Sequence, residues 1–370
     1  MPPSLVCPEN GQRLRLCTLV EAERIAKRLV AREPTVPRPV GPTPTVLLRE
    51  DGSCAYPVVD RIPVLLLPER LTPPEGRVPV DLGAAVYAEA YEEMDFYDAA
   101  SARAEELLRT GRIAELERRS ERIRTLGAVA RAPAASRGRF PEPRRLWIDA
   151  PHDPEAEYDA YRHLAPLRGK RILQVGGEGV QALVFLLAGA AEAVVLSPML
   201  GELRLARALA QHHGVADRLH VVCGVAEELP FASASFDGVY AGGCVHHFVT
   251  EQALPEVARV LVPQGRFAAA EPWRAPGYGL GTRLLGKRED VHCRPLTAER
   301  VAPLFSAFAA ARVIHHGTLT RYALIAASKA GLGLRAPLTS RVQRADDTVC
   351  SLIPPLRRLG SSVALVATAE

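Results

Sequence analysis

A strand, a glycine turn and a helix follow one another in ILQVGGEGVQALVFLLAGA, residues 172–190. The same alternation continues through AVVLS, MLGELRLARALAQHHG, RLHVVCG, SFDGVYAGG, EQALPEVARVLVPQG and GRFAAAEP. Repeated strand and helix units of this length predict an α/β fold, in which a parallel sheet is covered by helices on both faces. Two further apolar segments, RVIHHGTL and RYALIAASK, are expected to close the series as a hairpin.

Composition divides the rest of the chain into three further regions. Residues 1–75 combine a Cys-Pro start, a helical stretch, a proline-rich spacer and the alternating segment LLREDGSCAYPVVDRIPVLLLPERL, which predicts a small α+β module. Residues 76–145 are rich in Ala, Glu, Arg and Leu at helical spacing and end in a linker, so we expect a helical insert that forms a lid. The α/β domain covers 146–330. The apolar tail of 331–370 is expected to pack back on this domain or to form a subunit contact.

The insert contains four aromatic residues at helical spacing in the segment YAEAYEEMDFYD. They are Tyr87, Tyr91, Phe96 and Tyr97. Two interpretations stay open, because such residues either cover a substrate pocket or belong to a helical core.

Charge and composition limit the classes of partner. The chain has 370 residues and a net charge of only +4, with Lys and Arg interspersed among acidic residues, so we expect a small-molecule substrate and no nucleic acid. The start MPPSLVCPENGQRLRL lacks the pattern of a signal peptide, and no apolar run approaches the roughly 20 residues of a bilayer span. The seven scattered cysteines indicate reduced thiols. We therefore expect a cytoplasmic protein without a membrane partner, and formation of a homo-oligomer is left open.

The segment YPVVDRIPVLLL resembles the small zinc-ribbon family that activates methyltransferases. Members of that family open with Cys-Pro-x-Cys, whereas here Cys7 is followed by Asn10 at the second ligand position, and Arg49 falls at a third. A tetrahedral zinc site needs four nitrogen or sulfur ligands, which Cys7, Cys17 and Cys54 do not supply. The resemblance therefore implies a docking module, and the missing ligands predict that it holds no metal.

The α/β region resembles the class I S-adenosylmethionine-dependent methyltransferases from about residue 162 to 329. The matching segments are LPFASASFDGVYAGGCVHHF and ALPEVARVLVPQGRFAAAEPW, which look like the fourth strand, the following helix and the fifth strand of that family. The resemblance implies a seven-stranded, mostly parallel Rossmann-like sheet and S-adenosylmethionine as the cofactor.

Three glycines of the first turn, Gly176, Gly177 and Gly179, allow backbone amides to approach a cofactor closely. The family usually shows Gly-x-Gly-x-Gly, and this chain fits best with one residue deleted, as GGEG. The resemblance thus implies that the turn holds the cofactor, along a shortened path.

Three positions at which the family uses carboxylates are changed. Gln174 stands where an acid pairs with the cofactor's amino group, Ser197 where an acid binds the ribose, and Val225 where an acid binds adenine. Each lost charge-assisted contact weakens binding by roughly 1–2 kcal/mol. We expect a redrawn cofactor site that keeps Gln174, Ser197, Val225 and the adjacent Ala226. An empty site is the alternative. Other contacts are left to Glu227, Glu228 and Phe231.

Two histidines, His246 and His247, follow the fourth strand in AGGCVHHF. In the family a histidine often occupies the place of His247, where it packs or takes a proton from a substrate hydroxyl. A neutral imidazole suits general-base chemistry near pH 7. One of the two is therefore expected to orient or deprotonate the acceptor, and a capping or core histidine is the alternative.

Further candidates follow the fifth strand and are expected at the same rim of the sheet. Glu271 and His292 join the two histidines as catalytic candidates. Trp273, Arg274 and Arg294 are candidate substrate contacts, and a solvated face is the alternative. The histidines, Glu271 and Cys293 suggest a metal site, but they have no fixed ligand spacing, so no metal is predicted.

Methyl transfer from S-adenosylmethionine to a small specialised metabolite is the function that the resemblance implies. The protein would act mainly by aligning the nucleophile with the methyl carbon. Two alternatives remain at the level of the sequence. The first is an enzyme of the same fold with other chemistry, such as a cyclase, a lyase or a metal-assisted catalyst, and the second is a non-catalytic partner protein.

Overall fold

The computed structural model describes residues 4–33, 36–68, 84–131, 154–276, 278–279, 295–317 and 336–370. These residues form a small sheet, a helical insert and a large sheet. None of the described helices combines the length and apolar character needed to cross a membrane.

The small module is built on a five-stranded sheet. Its elements in chain order are β1 (Leu14–Thr18), α1 (Leu19–Ile25), β2 (Arg28–Leu29), β3 (Thr45–Arg49), β4 (Cys54–Val59) and β5 (Ile62–Pro63). The strand order is β1-β3-β4-β2, with β5 paired to β4. Helix α1 begins at Thr18, whose hydroxyl caps the helix by accepting a hydrogen bond from the Glu21 N–H at 3.1 Å. The predicted α+β module is thus observed.

The described part of the insert contains three helices, which fits its helical composition. They are α2 (Ala84–Arg109), α3 (Ile113–Arg119) and α4 (Glu121–Arg131). Helix α2 packs along α7 of the large domain, and α4 packs on α6. On α2, Phe96 and Tyr97 are exposed and contact each other edge to face, so these two are not core residues. The side chains of Tyr87 and Tyr91 lie outside the described part of the chain.

The large domain alternates strands and helices. Its elements are α5 (Pro154–Leu164), β6 (Arg171–Val175), α6 (Val180–Leu187), β7 (Glu192–Ser197), α7 (Leu200–His212), β8 (Leu219–Cys223), β9 (Phe236–Tyr240), α8 (Thr250–Val260), β10 (Leu261–Pro272), α9 (Ala302–Ala307), β11 (Ala310–His316), α10 (Ala336–Leu352) and β12 (Ser362–Thr368). The strand order is β8-β7-β6-β9-β10-β12-β11. Strand β7 is buried from Ala193 to Ser197, which fits a sheet covered on both faces.

The last strand of the chain enters the large sheet between β10 and β11. Among the described strands, the four pairings from β8 to β10 are parallel and the two made by β12 are antiparallel, so the sheet is mixed rather than mostly parallel. Strand β12 starts opposite Pro272 and His316, at the edge where β10 and β11 end. Because the chain returns from that edge, β12 must run against its neighbours.

The expected hairpin is corrected by this arrangement. RVIHHGTL does supply β11, but the described partner of β11 is the tail strand β12. RYALIAASK lies outside the described residues. The tail therefore packs back on the α/β domain, which is the first of the two arrangements expected for it from the sequence.

The small module lies along the β8 edge of the large sheet. Val64 forms a parallel bridge with Cys223, and the Leu65 N–H donates to the Cys223 carbonyl at 2.7 Å. Asp60 pairs with Arg204 of α7 at 2.6 Å. These contacts cover part of an edge that would otherwise present unpaired backbone groups.

Candidate functional site

The glycine turn lies between β6 and α6, where the order of the strands reverses between β6 and β9. In open α/β sheets this reversal point is the usual ligand crevice. Gly176, Gly177 and Gly179 have φ angles of 75°, 76° and 75°, which other residues rarely adopt. A Cβ at Gly176 would lie 2.8 Å from the Cβ of Cys244, and one at Gly179 would lie 2.6 Å from the Cβ of Ala206. Backbone conformation and close packing therefore both require glycine at these two positions.

The side chain of Gln174 stabilises the glycine turn through hydrogen bonds. Its Nε2 donates to the Gly176 carbonyl at 2.9 Å and to Gln181 Oε1 at 3.2 Å, and its Oε1 accepts from the Ala182 N–H at 2.6 Å. The side chain is only 2% exposed. The amide that replaces the family's carboxylate thus has internal partners, and we infer that it positions the turn instead of contacting a ligand.

A carboxylate from α5 collects three donors beside the turn. Glu157 Oε1 accepts from Gln181 Nε2 and from the Tyr240 hydroxyl, each at 3.4 Å, and the Tyr161 hydroxyl also donates to it. Burial raises the pKa of both tyrosines well above the usual range, so both remain donors. Their rings pack on each other with centroids 5.4 Å apart. The network fixes α5 against α6 and the end of β9.

Ser197 ends β7 and meets a carboxylate that the sequence analysis missed. Its Oγ donates to Glu202 Oε2 at 2.7 Å and accepts from the Met199 N–H at 3.1 Å. Glu202 is 5% exposed, and burial raises the pKa of its carboxyl to about 7. The helix that carries Glu202 lies against the glycine turn, since Ala206 of the same helix contacts Gly179. A carboxylate from α7 therefore lies beside Ser197, at the position where the family pattern would have an acid on the strand.

The remaining predicted cofactor residues lie after β8. Val225 is partly buried and apolar, and Ala226 is 2% exposed. Glu227 accepts a hydrogen bond from the Val249 N–H at 2.9 Å. Phe231 is fully buried and packs edge to face on Phe236, so it is a core residue rather than the additional ligand contact suggested from the sequence. This end of the cleft offers mainly an apolar surface.

The second rim is built around Glu271 near the end of β10. Its Oε1 accepts from the N–H groups of Cys244 and Val245, each at 2.9 Å. Its Oε2 lies 2.6 Å from His246 Nδ1 and accepts from the His246 N–H at 3.3 Å. One buried carboxylate thereby fixes the loop after β9 and orients the imidazole of His246.

The two adjacent histidines have different environments. His246 is buried, whereas His247 is exposed, and their rings contact each other in a tilted arrangement with centroids 4.0 Å apart. Arg300 Nη2 donates to the carbonyls of His246 and Phe248, at 3.0 and 3.1 Å, which closes the loop from the other side. The structure thus brings His246 and Glu271 into contact.

The other predicted rim residues are only partly described. The Trp273 ring contacts His315 edge to face at 4.9 Å, and Arg274 is exposed. His292, Cys293 and Arg294 lie outside the described residues. Within the described ranges, no group of three or more His, Cys, Asp or Glu residues is arranged to hold a metal ion.

Arg49 occupies the predicted third ligand position of the small module and is surrounded by acceptors. Its Nη1 lies 3.0 Å from Glu9 Oε2 and 3.7 Å from Cys7 Sγ, and its Nε donates to Asp51 at 3.0 Å. The Cys7 thiol is also 3.1 Å from the Tyr56 hydroxyl. The guanidinium of Arg49 therefore binds the acceptors at the position where the resemblance to the zinc-ribbon family would place a metal ion.

Comparison with known proteins gives matches to the central segment of the chain. Residues 173–269 match a family model described as a methyltransferase domain. The O-methyltransferase rstn1 of Aspergillus nomiae is 36% identical over 110 residues, which cover 29% of this chain and 49% of that protein. A ubiquinone/menaquinone biosynthesis C-methyltransferase of Dinoroseobacter shibae is 39% identical over 140 residues, or 37% of this chain and 52% of that protein. The chain thus spans about half the length of these curated relatives.

Solved structures give a weaker likeness. A geranyl diphosphate methyltransferase in complex with SAM is 15% identical, with a TM-score of 0.43, and the alignment covers 61% of this chain and 86% of that one.

Proposed function

We propose that this chain, whose residues 173–269 form a domain of the class I S-adenosylmethionine-dependent methyltransferase family, methylates a hydroxyl group of a small specialised metabolite. The family match supports S-adenosylmethionine as the cofactor. The observation that carries the proposal for the acceptor is the 2.6 Å contact between His246 Nδ1 and Glu271 Oε2, because it builds a general base at the rim of the cofactor cleft.

The residues of the cleft fit an adenosyl cofactor. Three glycines with positive φ angles leave the backbone amides of the turn accessible to the cofactor. The Glu202 carboxylate beside Ser197 is suited to accept hydrogen bonds from the ribose hydroxyls. Val225 offers an apolar face to a planar base. When bound, S-adenosylmethionine supplies an electrophilic methyl group, and the protein has to align the acceptor and remove its proton.

The His246 and Glu271 pair accounts for the removal of that proton. When Nδ1 donates to Glu271, the lone pair of the imidazole lies on Nε2, which then accepts the proton of an acceptor hydroxyl. Glu271 stabilises the imidazolium that results and does not need to move, because the backbone of the loop already holds its oxygens. His247 lies beside this pair, and we propose that it contacts the acceptor.

The similarity to an O-methyltransferase supports an oxygen acceptor, and the interspersed surface charges support a small molecule rather than a nucleic acid. The C-methyltransferase among the curated relatives defines the alternative outcome, which is methylation of carbon.

Two measurements test the proposal. Calorimetry with S-adenosylmethionine and S-adenosylhomocysteine is expected to show binding at micromolar concentrations. Incubation with methyl-deuterated S-adenosylmethionine and a panel of small phenols and alcohols is expected to yield a labelled methyl ether, identified by mass and NMR. Absence of binding would contradict the proposed function, and a labelled carbon–methyl product would replace the oxygen acceptor by a carbon one.

A further inference from the structure

A guanidinium reaches the cofactor cleft from the helical insert. Arg122 is the second residue of α4, and the next turn of that helix is anchored by Ile123 and Leu126, which are 1% and 0% exposed. Helix α4 packs on α6, the helix that follows the glycine turn. The anchored backbone therefore holds Arg122 on a helix that packs beside the glycine turn.

The position of the guanidinium can be given relative to the loop after β9. A Cβ built on Gly243 would lie 3.4 Å from Arg122 Nη2. The next residue, Cys244, contacts the turn itself, since its Sγ donates to the Val175 carbonyl at 3.0 Å and lies against Gly176. Arg122 thus lies beside the loop after β9, and the next residue of that loop contacts the glycine turn.

Two acidic residues affect the pKa of the Arg122 guanidinium but do not form an ion pair with it. Burial acts to lower the pKa of Arg122, but Glu178 and Glu157 raise it above its usual value. Arg122 is exposed, and within the described ranges its guanidinium forms no hydrogen bond or ion pair with a side chain. By contrast, Arg131 on the same helix pairs with Glu117 at 2.8 Å.

An acidic residue accompanies Arg122 on the turn. Glu178 lies between Gly177 and Gly179, and burial raises the pKa of its carboxyl while the charge of Arg122 lowers it. A cation beside the loop after β9 and an anion within the glycine turn are together suited to a ligand that carries both charges. The amino-acid end of an adenosyl cofactor, with a carboxylate and an ammonium on one carbon, has this character.

We propose that Arg122 binds the carboxylate of the cofactor's amino-acid end and that Glu178 receives the ammonium group. The planar guanidinium fork can bind both carboxylate oxygens at once. The inference rests on the proposed function. It makes the helical insert, which the sequence analysis expects to form a lid, also a part of the cofactor site. The carboxylate that the strand lacks at Gln174 is then replaced by Glu178 of the turn.

Three ligands that differ in the charges of their amino-acid end separate the contributions of Arg122 and Glu178 to binding. S-adenosylhomocysteine carries both charges, its decarboxylated analogue 5′-deoxy-5′-(3-aminopropylthio)adenosine carries only the ammonium, and 5′-methylthioadenosine carries neither. Calorimetry on the full chain is expected to show that Arg122→Ala weakens binding of S-adenosylhomocysteine by roughly 10- to 100-fold, because a charge-assisted contact is lost. Binding of the other two ligands should change by less than about threefold.

Matched variants complete the test. Arg131→Ala removes an exposed, paired arginine from the same helix and should leave the affinity for all three ligands unchanged. Glu178→Gln should weaken the two ligands that carry an ammonium but not methylthioadenosine. Thermal unfolding of each variant checks that the fold is kept.

The outcomes distinguish this inference from the proposed function. If the unmodified protein binds S-adenosylhomocysteine and Arg122→Ala binds it equally well, or weakens all three ligands alike, the role of Arg122 is overturned and the function stands. If none of the three ligands binds the unmodified protein, both proposals fall.

Discussion

His246 Nδ1 lies 2.6 Å from Glu271 Oε2, and the same carboxylate also accepts the N–H groups of Cys244 and Val245 at 2.9 Å. The imidazole is therefore fixed by a group that also shapes its own loop. Sequence comparison alone favours His247, because a histidine is common at that place in the family. The geometry instead gives the carboxylate partner to the preceding residue.

Replacing His246 should reduce turnover far more than replacing His247. We expect His246→Ala to lower kcat by roughly 10²- to 10⁴-fold, the usual contribution of a general base, while the affinity for S-adenosylhomocysteine stays unchanged. His247→Ala is the control on the same loop and should mainly raise KM for the acceptor. Steady-state rates of methyl transfer measure both effects. A larger loss of kcat in His247→Ala would assign the base to His247.

The order of the elements could be predicted from the sequence, because each strand, turn and helix is encoded by local periodicity. The glycine turn is an example, since its three left-handed residues are visible as glycines. Pairing over long distances could not be read in the same way. Strand β12 is an apolar segment whose neighbours, β10 and β11, are chosen by the whole sheet.

The side chains that we propose for the cofactor site and that the sequence analysis missed share one property, which is that another element supplies them. Glu202 comes from α7 to Ser197, and Arg122 comes from the insert to the loop after β9. Alignment with a family pattern tests one position at a time and registers a lost acid at Ser197. It does not detect that a carboxylate, that of Glu202, is present five residues later on α7. Only the three-dimensional packing brings the two together.

A methyl group added at Gly179 should be far more harmful than one added elsewhere at the same backbone angle. Gly179 and Gly214 have φ angles of 75° and 67°, but a Cβ at Gly179 meets the Ala206 Cβ at 2.6 Å, whereas one at Gly214 meets no atom within 4 Å. We expect Gly214→Ala to cost about 1 kcal/mol of unfolding free energy from backbone strain. Gly179→Ala should cost roughly 1–3 kcal/mol more and abolish binding of S-adenosylhomocysteine. Urea unfolding and calorimetry compare the pair, and equal losses would mean that packing at the turn is loose.

The buried Glu202 should make stability depend on pH. Burial raises the pKa of its carboxyl from 4.5 to about 7, so between these pH values the unfolded chain has lost a proton that the folded protein keeps. The stability contribution is complete below about pH 4.5 and is lost as the pH rises through about 7. Over this window we expect the unfolding free energy of the unmodified protein to fall, relative to that of Glu202→Gln, by roughly 3 kcal/mol. Glu251→Gln, at an exposed position of α8, should follow the unmodified protein.

The same carboxyl should tune cofactor binding in the opposite direction. If the ionised form of Glu202 accepts the ribose hydroxyls, the affinity for S-adenosylhomocysteine should rise about tenfold between pH 6 and pH 8. Glu202→Gln should bind more weakly at pH 8 and show little dependence on pH. Calorimetry in buffers of equal ionic strength measures this. A slope that persists unchanged in the variant would assign the titration to another group.

Arg49 should stabilise the small module through contacts in several directions. Its guanidinium lies 3.0 Å from Glu9 and 3.0 Å from Asp51, and it also reaches the thiol of Cys7. We expect Arg49→Ala to lower the unfolding free energy by about 1–2 kcal/mol, and Arg49→Lys to recover less than half of it, because a single ammonium cannot replace the fork. Arg15→Ala removes an exposed pair with Glu21 and should have little effect. Thermal unfolding compares the three variants. Full recovery by lysine would show that only the charge is needed, and that the directed geometry around Arg49 contributes nothing to the module.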